Sequence, residues 1–334
     1  MKTFYNKDAD YVNEMLEGIL IAHPDLLKIA RKEIRAISRA DAPIKGKVSI
    51  ITGGGSGHLP LFVGYVGKGS VDGAAIGNVF ASPSVNQILT LTRAVNGGKG
   101  IIYLYGNYGG DVMNFDMAAE LAAEEDIEIK TILATDDIAS SPKGDEKSRR
   151  GVAGIFYAYK VAGACADFGY SLTEVYKETC EALSQIRTIG VAISPCTVPG
   201  ATKPSFFLKD NEMEIGMGIH GEAGIRRGIK KSADETAEEM INFLLEDLPL
   251  KKGDKVSILV NSLGATPLEE LYIIYRKAAQ VLESKSISIY RPFIGRYACS
   301  LEMAGFSISI FRLNNRFCKY LNHPVWTPFV KEGK

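Results

Sequence analysis

No 18-residue stretch of the sequence is apolar throughout, and the opening MKTFYNKDADYVNEML is charged where a signal peptide would carry its apolar region. A membrane-spanning helix needs about 20 mostly apolar residues. Neither an anchor nor a leader is therefore expected, and the expected compartment is the cytoplasm. Cysteine is sparse: Cys165, Cys180, Cys196, Cys299 and Cys318 are odd in number and never spaced C-x-x-C. That spacing argues against a disulfide framework or a zinc site and fits a reducing compartment. An excess of charge of either sign is missing as well, with 39 Lys and Arg against 39 Asp and Glu. No net field draws the molecule to nucleic acid or an anionic membrane, so neither is expected as a direct partner. There is no internal repeat and no low-complexity tail.

What is present is ordinary globular material: 334 residues, 46% apolar and 23% charged, enough for two domains. Residues 8–39 have a helical pattern, with Val12, Met15, Leu16, Ile19 and Leu20 on one face. Apolar runs at 47–52, 73–78, 101–106 and 129–134 are expected to be buried strands, with helices at 87–95 and 116–125 between them. This alternation predicts an α/β first domain, residues 1–150, built on a mostly parallel sheet. The polar run SSPKGDEKSRRG (140–151) is expected to be an exposed loop at the boundary. A second α/β domain, residues 151–334, is expected beyond it. It opens with helices over 152–188, interrupted near Gly169, the second begun by a Ser171-x-x-Glu174 capping box. Strands are predicted at 188–194, 214–220, 255–261, 286–294 and 306–313, with a helix at 238–246 and another capped by Thr266 with Pro267 at its first position.

Residues 53–60 read GGGSGHLP after the apolar run KVSIIT. A strand entering a glycine-rich turn is a common phosphate cradle, but the register fails each standard pattern. A dinucleotide fingerprint from Gly53 meets His58 where glycine should stand, no lysine completes a Walker loop, and a nucleophile elbow from Gly54 again meets His58. Backbone anion binding remains open. Of four histidines, His23 and His323 precede prolines and suit local hydrogen bonding, whereas His58 and His220 sit in the glycine-containing stretches GGGSGH and GMGIHGEAG. Glycines beside an imidazole let a ligand or another backbone approach it; two packed turn histidines are the plainer alternative. A third glycine-rich segment, YGNYGGDVMNF (105–115), presents Asp111. His58 and Asp111 both follow predicted strands, so they belong at one edge of the first sheet, where acid–base work is feasible. Asp111 is also placed to cap a helix starting near Val112. Metal binding is the weaker alternative, because the histidines are far apart and have no cysteine partner.

GGGSGH, the NY-x-GD-x-x-NF run at 107–115, SRRGVAG (148–154), CTVPGATKPSF (196–206), NEMEIGMGIHGEAGI (211–225), NSLGATPLEELY (261–272) and MAGFSISI (303–310) resemble the DhaK family of dihydroxyacetone kinases, in order and over nearly the whole chain. The resemblance implies a two-domain α/β fold, a homodimer, and no cofactor or nucleotide bound to this subunit. It implies that His220 bonds covalently to the carbonyl carbon of dihydroxyacetone as a hemiaminal. It further implies that His58 assists as proton acceptor, that Asp111 contacts the ligand hydroxyls, and that Gly55, Ser56 and Gly57 line the same pocket. The chemistry is coherent: a neutral imidazole nitrogen adds to a small ketone, and glycerol, having no carbonyl, is rejected. On this view the glycines clear space for a very small ligand.

Two positions depart from the family pattern. Leu59 stands where glutamate is usual after the loop histidine, and Gly106 where a ligand-touching lysine is usual, removing a charge-assisted hydrogen bond. Arg296, Asn314, Asn315 and Arg316 also differ, on what could be a docking face. The pattern favours a DhaQ-type coactivator that senses dihydroxyacetone and partners a TetR-type transcription factor controlling a dihydroxyacetone kinase operon. The alternative is the dihydroxyacetone-binding subunit of a phosphoenolpyruvate phosphotransferase-dependent kinase, with a separate nucleotide-carrying subunit as partner. A single-chain ATP-using kinase would need a further nucleotide-binding domain.

Overall fold

The computed structural model describes residues 3–333; Met1, Lys2 and Lys334 lie outside it. The chain is α/β and divides into two units, one comprising residues 1–134, 158–181 and 319–334, the other 135–157 and 182–318. The division is thus not a single cut at residue 150. Residues 158–181 go with the first unit for local reasons. The Tyr159 hydroxyl shares a 2.6 Å hydrogen bond with Thr52 Oγ1, and Lys160 Nζ donates to Glu332 Oε2 at 2.6 Å. The backbone at Gly163 lies so close to that of Gly69 that a Cβ would fall 2.4 Å from the Gly69 carbonyl oxygen.

Unit 1 begins with α1 (Tyr11–Ala22), β1 (Leu27–Ala30) and β2 (Glu33–Arg39). The helical pattern over 8–39 therefore breaks at residue 22. Pro24 cannot continue the helix, and Arg31 and Lys32, both at positive φ (47° and 69°), turn the chain into an antiparallel hairpin. Next come β3 (Ser49–Ser56), β4 (Gly73–Val79), α2 (Val85–Val95), β5 (Ile101–Gly106), α3 (Gly109–Ala123) and β6 (Ile129–Ala134). Strand order is β1-β2-β4-β3-β5-β6; the run β4-β3-β5-β6 is parallel, and β1 and β2, at one end of the sheet, pair antiparallel. Ile51, Ala75, Ile101, Tyr103 and Tyr105 pack against Ile88 and Leu91 of α2 and Phe115, Ala118 and Ala122 of α3. The helices α4 (Ile155–Asp167) and α5 (Leu172–Ser184) follow, and the Ser171–Glu174 box is made, with the Glu174 amide donating to Ser171 Oγ at 3.4 Å.

Unit 2 holds β7 (Ile186–Ala192), β8 (Glu212–Ile215), β9 (Arg226–Ile229), α6 (Ala233–Asp247), β10 (Lys255–Ser262), α7 (Leu268–Ser284), β11 (Ser288–Gly295) and β12 (Gly305–Leu313). Its sheet, ordered β11-β10-β12-β7-β8-β9, is antiparallel except for β10 with β11. Met240, Ile241 and Leu244 of α6 and Leu271, Ile274 and Ala278 of α7 bury against Ile189, Ile258 and Ile308. Two local expectations fail here. The strand predicted over 214–220 stops at Ile215, where Gly216 (φ 87°) turns the chain out of the sheet. Thr266 does not cap α7: its hydroxyl donates to the Gly305 carbonyl at 2.7 Å and accepts from the Gly305 amide at 2.9 Å, tying the helix start to β12.

The segment 140–151 is not simply a solvated loop. Lys143, Gly144 and Asp145 are exposed, but Arg149 has no exposed surface, and its guanidinium grips Asp247 through two hydrogen bonds, 2.9 and 2.6 Å. The chain closes with α8 (Asn315–Leu321) and a short hairpin in unit 1, β13 (Val325–Trp326) with β14 (Lys331–Glu332). Among the described residues no helix is long and apolar enough to cross a membrane.

Candidate functional site

In unit 1, His58 follows β3 and Asp111 follows β5, and these two strands are parallel neighbours, so both residues leave the same sheet edge. The GGGS stretch belongs to β3 itself, and the space beside its glycines is taken by protein. A Cβ at Gly54 would fall 2.3 Å from the Phe62 ring, and one at Gly55 would fall 2.7 Å from the Ala81 amide nitrogen. Ser56 Oγ is committed to the Gly77 carbonyl at 2.8 Å. Gly57, at φ 99°, makes the bend that a side chain would strain, and His58 follows it into a buried position. The imidazole stacks on Phe80, centroids 4.9 Å apart and planes 19° apart.

Phe80 belongs to the loop after β4, which also meets α3: Asn114 Nδ2 donates to the Pro83 carbonyl at 2.8 Å, and a Cβ at Gly110 would lie 2.7 Å from Ser82 Oγ. Three post-strand loops therefore fix His58 and the start of α3 together. Asp111 is buried in the first turn of α3, the end at which a helix favours negative charge. It is not the cap, since the helix already begins at Gly109. Burial, with Asp116 and Asp111 nearby, pushes the Tyr105 hydroxyl well above its ordinary range, so a neutral phenol lies beneath this end of the helix.

In unit 2, His220 sits in the turn after β8. Its Nδ1 is 2.9 Å from Glu222 Oε1, and its amide donates to Glu222 Oε2 at 3.0 Å. Burial works to raise Glu222, but the hydrogen bond and charge of His220 and the charge of Arg150 outweigh it and bring the carboxyl down to about 2. An ionised carboxylate can only accept, so Nδ1 is the protonated nitrogen, and the neutral imidazole carries its lone pair on Nε2. This is the arrangement that makes an imidazole a nucleophile with a defined attacking nitrogen. Arg150 Nη1 stands 3.6 Å from Glu222 Oε2, and its Nη2 2.8 Å from Asp137 Oδ2. Among the described residues no group of three His, Cys, Asp or Glu side chains is placed to hold a metal ion.

The model of the Dak1 domain matches residues 17–329. The chain belongs to the Dak1 family. A PTS-dependent dihydroxyacetone kinase 2, dihydroxyacetone-binding subunit DhaK, from Listeria innocua is 41% identical over 99% of this chain and 99% of its own length. Among solved structures, the dihydroxyacetone kinase of C. freundii superposes with a TM-score of 0.90 at 34% identity; it covers 99% of this chain, which spans 60% of that longer one. The dihydroxyacetone kinase operon co-activator Dha-DhaQ superposes equally well, with a TM-score of 0.90, 33% identity and coverage of 96% and 99%.

The site of this Dak1 chain contains residues that motif reading passed over. Glu222 was signalled by its place two residues after His220 with a glycine between. Arg150 stands in the SRRGVAG run with no role attached to it there, and Asp137 carried no local signal: Arg150 meets Glu222 some 70 residues on and Asp137 across a turn. Gly218 has a steric role: a Cβ there would lie 2.1 Å from Glu222 Oε2 and 2.6 Å from Arg150 Nη1. Gly218→Ala is accordingly expected to keep the fold, by circular dichroism, while displacing the carboxylate. Outer-shell partners of a functional histidine are worth roughly 10–100-fold. Modification of His220 by diethyl pyrocarbonate, followed by peptide mapping, should slow by about that factor; an unchanged rate would show that Glu222 does not set the reactivity of His220.

Proposed function

We propose that this protein captures dihydroxyacetone as a hemiaminal on His220. The observation that carries this is the Glu222 carboxylate on His220 Nδ1, which leaves Nε2 as the attacking nitrogen. The Nε2 lone pair forms the bond to the carbonyl carbon as the C=O π pair moves onto oxygen. That oxygen gains a proton and the imidazole gives up the one on Nδ1, so the adduct contains every atom of both reactants and no net charge is created. Ionised Glu222 steadies the imidazolium formed on the way. His58 assists as proton acceptor and Asp111 holds the ligand hydroxyls; Gly55, Ser56 and Gly57 line the pocket through their backbone alone, since the space beside the β3 glycines and the Ser56 hydroxyl are already taken. The name of the Listeria relative, 41% identical over 99% of its length, supports the ligand class.

The favoured role is that of a ligand-sensing coactivator, acting as a homodimer with a TetR-type transcription factor. Leu59 and Gly106 favour it, because they remove polar groups beside the site, and so does the likeness to the Dha-DhaQ co-activator. The second reading, a phosphotransferase-dependent kinase subunit, is favoured by the higher identity of relatives named as such subunits. Mixing the purified protein with dihydroxyacetone and a phosphorylated nucleotide-carrying kinase subunit separates the two. The coactivator reading expects no dihydroxyacetone phosphate above background and ligand-dependent binding to the transcription factor. Sustained turnover would reverse the choice.

A further inference from the structure

We infer that Asp137 and Arg150 are positioning residues for His220, acting through Glu222: the guanidinium, clamped by Asp137, holds the carboxylate that decides which imidazole nitrogen bears the proton. The use of this device rests on the proposed capture chemistry, but the device itself rests on geometry. Glu222 lies on a turn flanked by Gly221 and by Gly224, with a side chain 32% exposed, so the bond to His220 alone would leave it several rotamers. Its two oxygens nevertheless have separate duties. Oε1 meets Nδ1, while Oε2 receives the His220 amide and faces Arg150.

Arg150 is in turn fixed from behind. Asp137 Oδ2 accepts from its Nε at 3.1 Å and pairs with its Nη2 at 2.8 Å. Asp137 is itself tied to the backbone: its Oδ1 accepts the Ala139 amide at 3.1 Å, its own amide donates to the Arg150 carbonyl at 3.0 Å, and the Arg150 amide donates to Ser140 Oγ at 2.9 Å. Buried ion pairs contribute little net stability compared with apolar packing. Burial, only partly offset by Arg150, pushes Asp137 up to about 7, so ionising this carboxyl in its buried place is costly. A pair that costly, ending on the Glu222 carboxylate that holds His220 Nδ1, is explained by orientation and not by stability.

The test is nitrogen-15 spectroscopy of the four histidine rings in the intact protein, where the nitrogen bearing the lone pair resonates far downfield of the protonated one. Wild-type His220 is expected in the Nδ1–H form. Asp137→Asn and Arg150→Gln should each convert it to a mixture with the Nε2–H form and slow its diethyl pyrocarbonate modification roughly tenfold, the low end of the 10–100-fold range for outer-shell partners. Arg150→Lys, whose single ammonium cannot fork across two carboxylates, should fall between. A purely structural role would lower the melting temperature without changing the His220 tautomer. Folded Asp137→Asn and Arg150→Gln proteins that both keep the Nδ1–H form overturn the inference. If Asp137→Asn does not fold, Arg150→Gln alone decides. Loss of the tautomer in both variants upholds it even if the wild type forms no dihydroxyacetone adduct, a result that would remove only the proposed ligand.

Discussion

His220→Ala is expected to abolish capture of dihydroxyacetone, the largest single effect in the molecule. The ligand has six heavy atoms, half of them oxygens already hydrogen-bonded to water. A protein hydrogen bond that replaces one to water gains about 0.5–1.5 kcal/mol, so three polar groups contribute roughly 1.5–4.5 kcal/mol. Loss of translational and rotational freedom costs about 4 kcal/mol or more. Without the covalent bond little net affinity is left, and the loss should exceed roughly a thousandfold, about 4 kcal/mol. Intact-mass spectrometry after borohydride-free quenching, together with calorimetry, measures it. An alanine variant that binds as tightly as the wild type would show that the ligand is held elsewhere. Glycerol, with no carbonyl, should fail to bind the wild type for the same reason.

The parts of this outcome that were legible in the sequence are those encoded locally. The apolar-rich runs at 47–52, 101–106 and 129–134 became β3, β5 and β6, because short runs of that kind between turns suit strands. The placement of His58 and Asp111 at one sheet edge followed from strand direction alone. The hairpin at 27–39 was hidden because its turn uses Arg31 and Lys32 at positive φ, where glycine or asparagine would have announced it. GGGS seemed to clear room for a ligand, whereas Gly54 and Gly55 make room for the Phe62 ring and the backbone at Ala81. Composition cannot distinguish the two, since both demand a missing Cβ. The Asp137–Arg150–Glu222 chain was invisible for another reason: its members are brought together by the turn after β8 and the segment after β6, and no spacing rule links them.

Asp247→Ala should destabilise the second unit by about 3–5 kcal/mol, the cost of removing one partner from a buried ion pair. Asp247 ends α6, where the helix dipole disfavours a carboxylate, so it is not there for the helix. It is there for two arginines. Arg149, with a fully buried side chain, donates from both terminal nitrogens, and Arg187 donates from Nε to the same carboxylate. Arg149 Nε also donates to the Ser141 carbonyl at 3.0 Å, which closes the segment 140–151 on itself. Alanine would take the carboxylate from two guanidiniums, one of them without access to water, and release the strap that carries Arg150. Urea unfolding followed by circular dichroism gives the magnitude, and hydrogen exchange of residues 137–152 gives the location; a change under about 1 kcal/mol, as for an exposed pair, would show the pair to be incidental. The pH dependence has a definite sign. Burial acts to raise Asp247, but the bonds to Arg149 and Arg187 dominate and hold it below its ordinary value. Its contribution is therefore complete above the unfolded pKa of about 3.9 and is lost as pH falls through the lower folded value. The wild type should lose this stability on acidification and Asp247→Ala should not, so the two unfolding curves should converge at low pH.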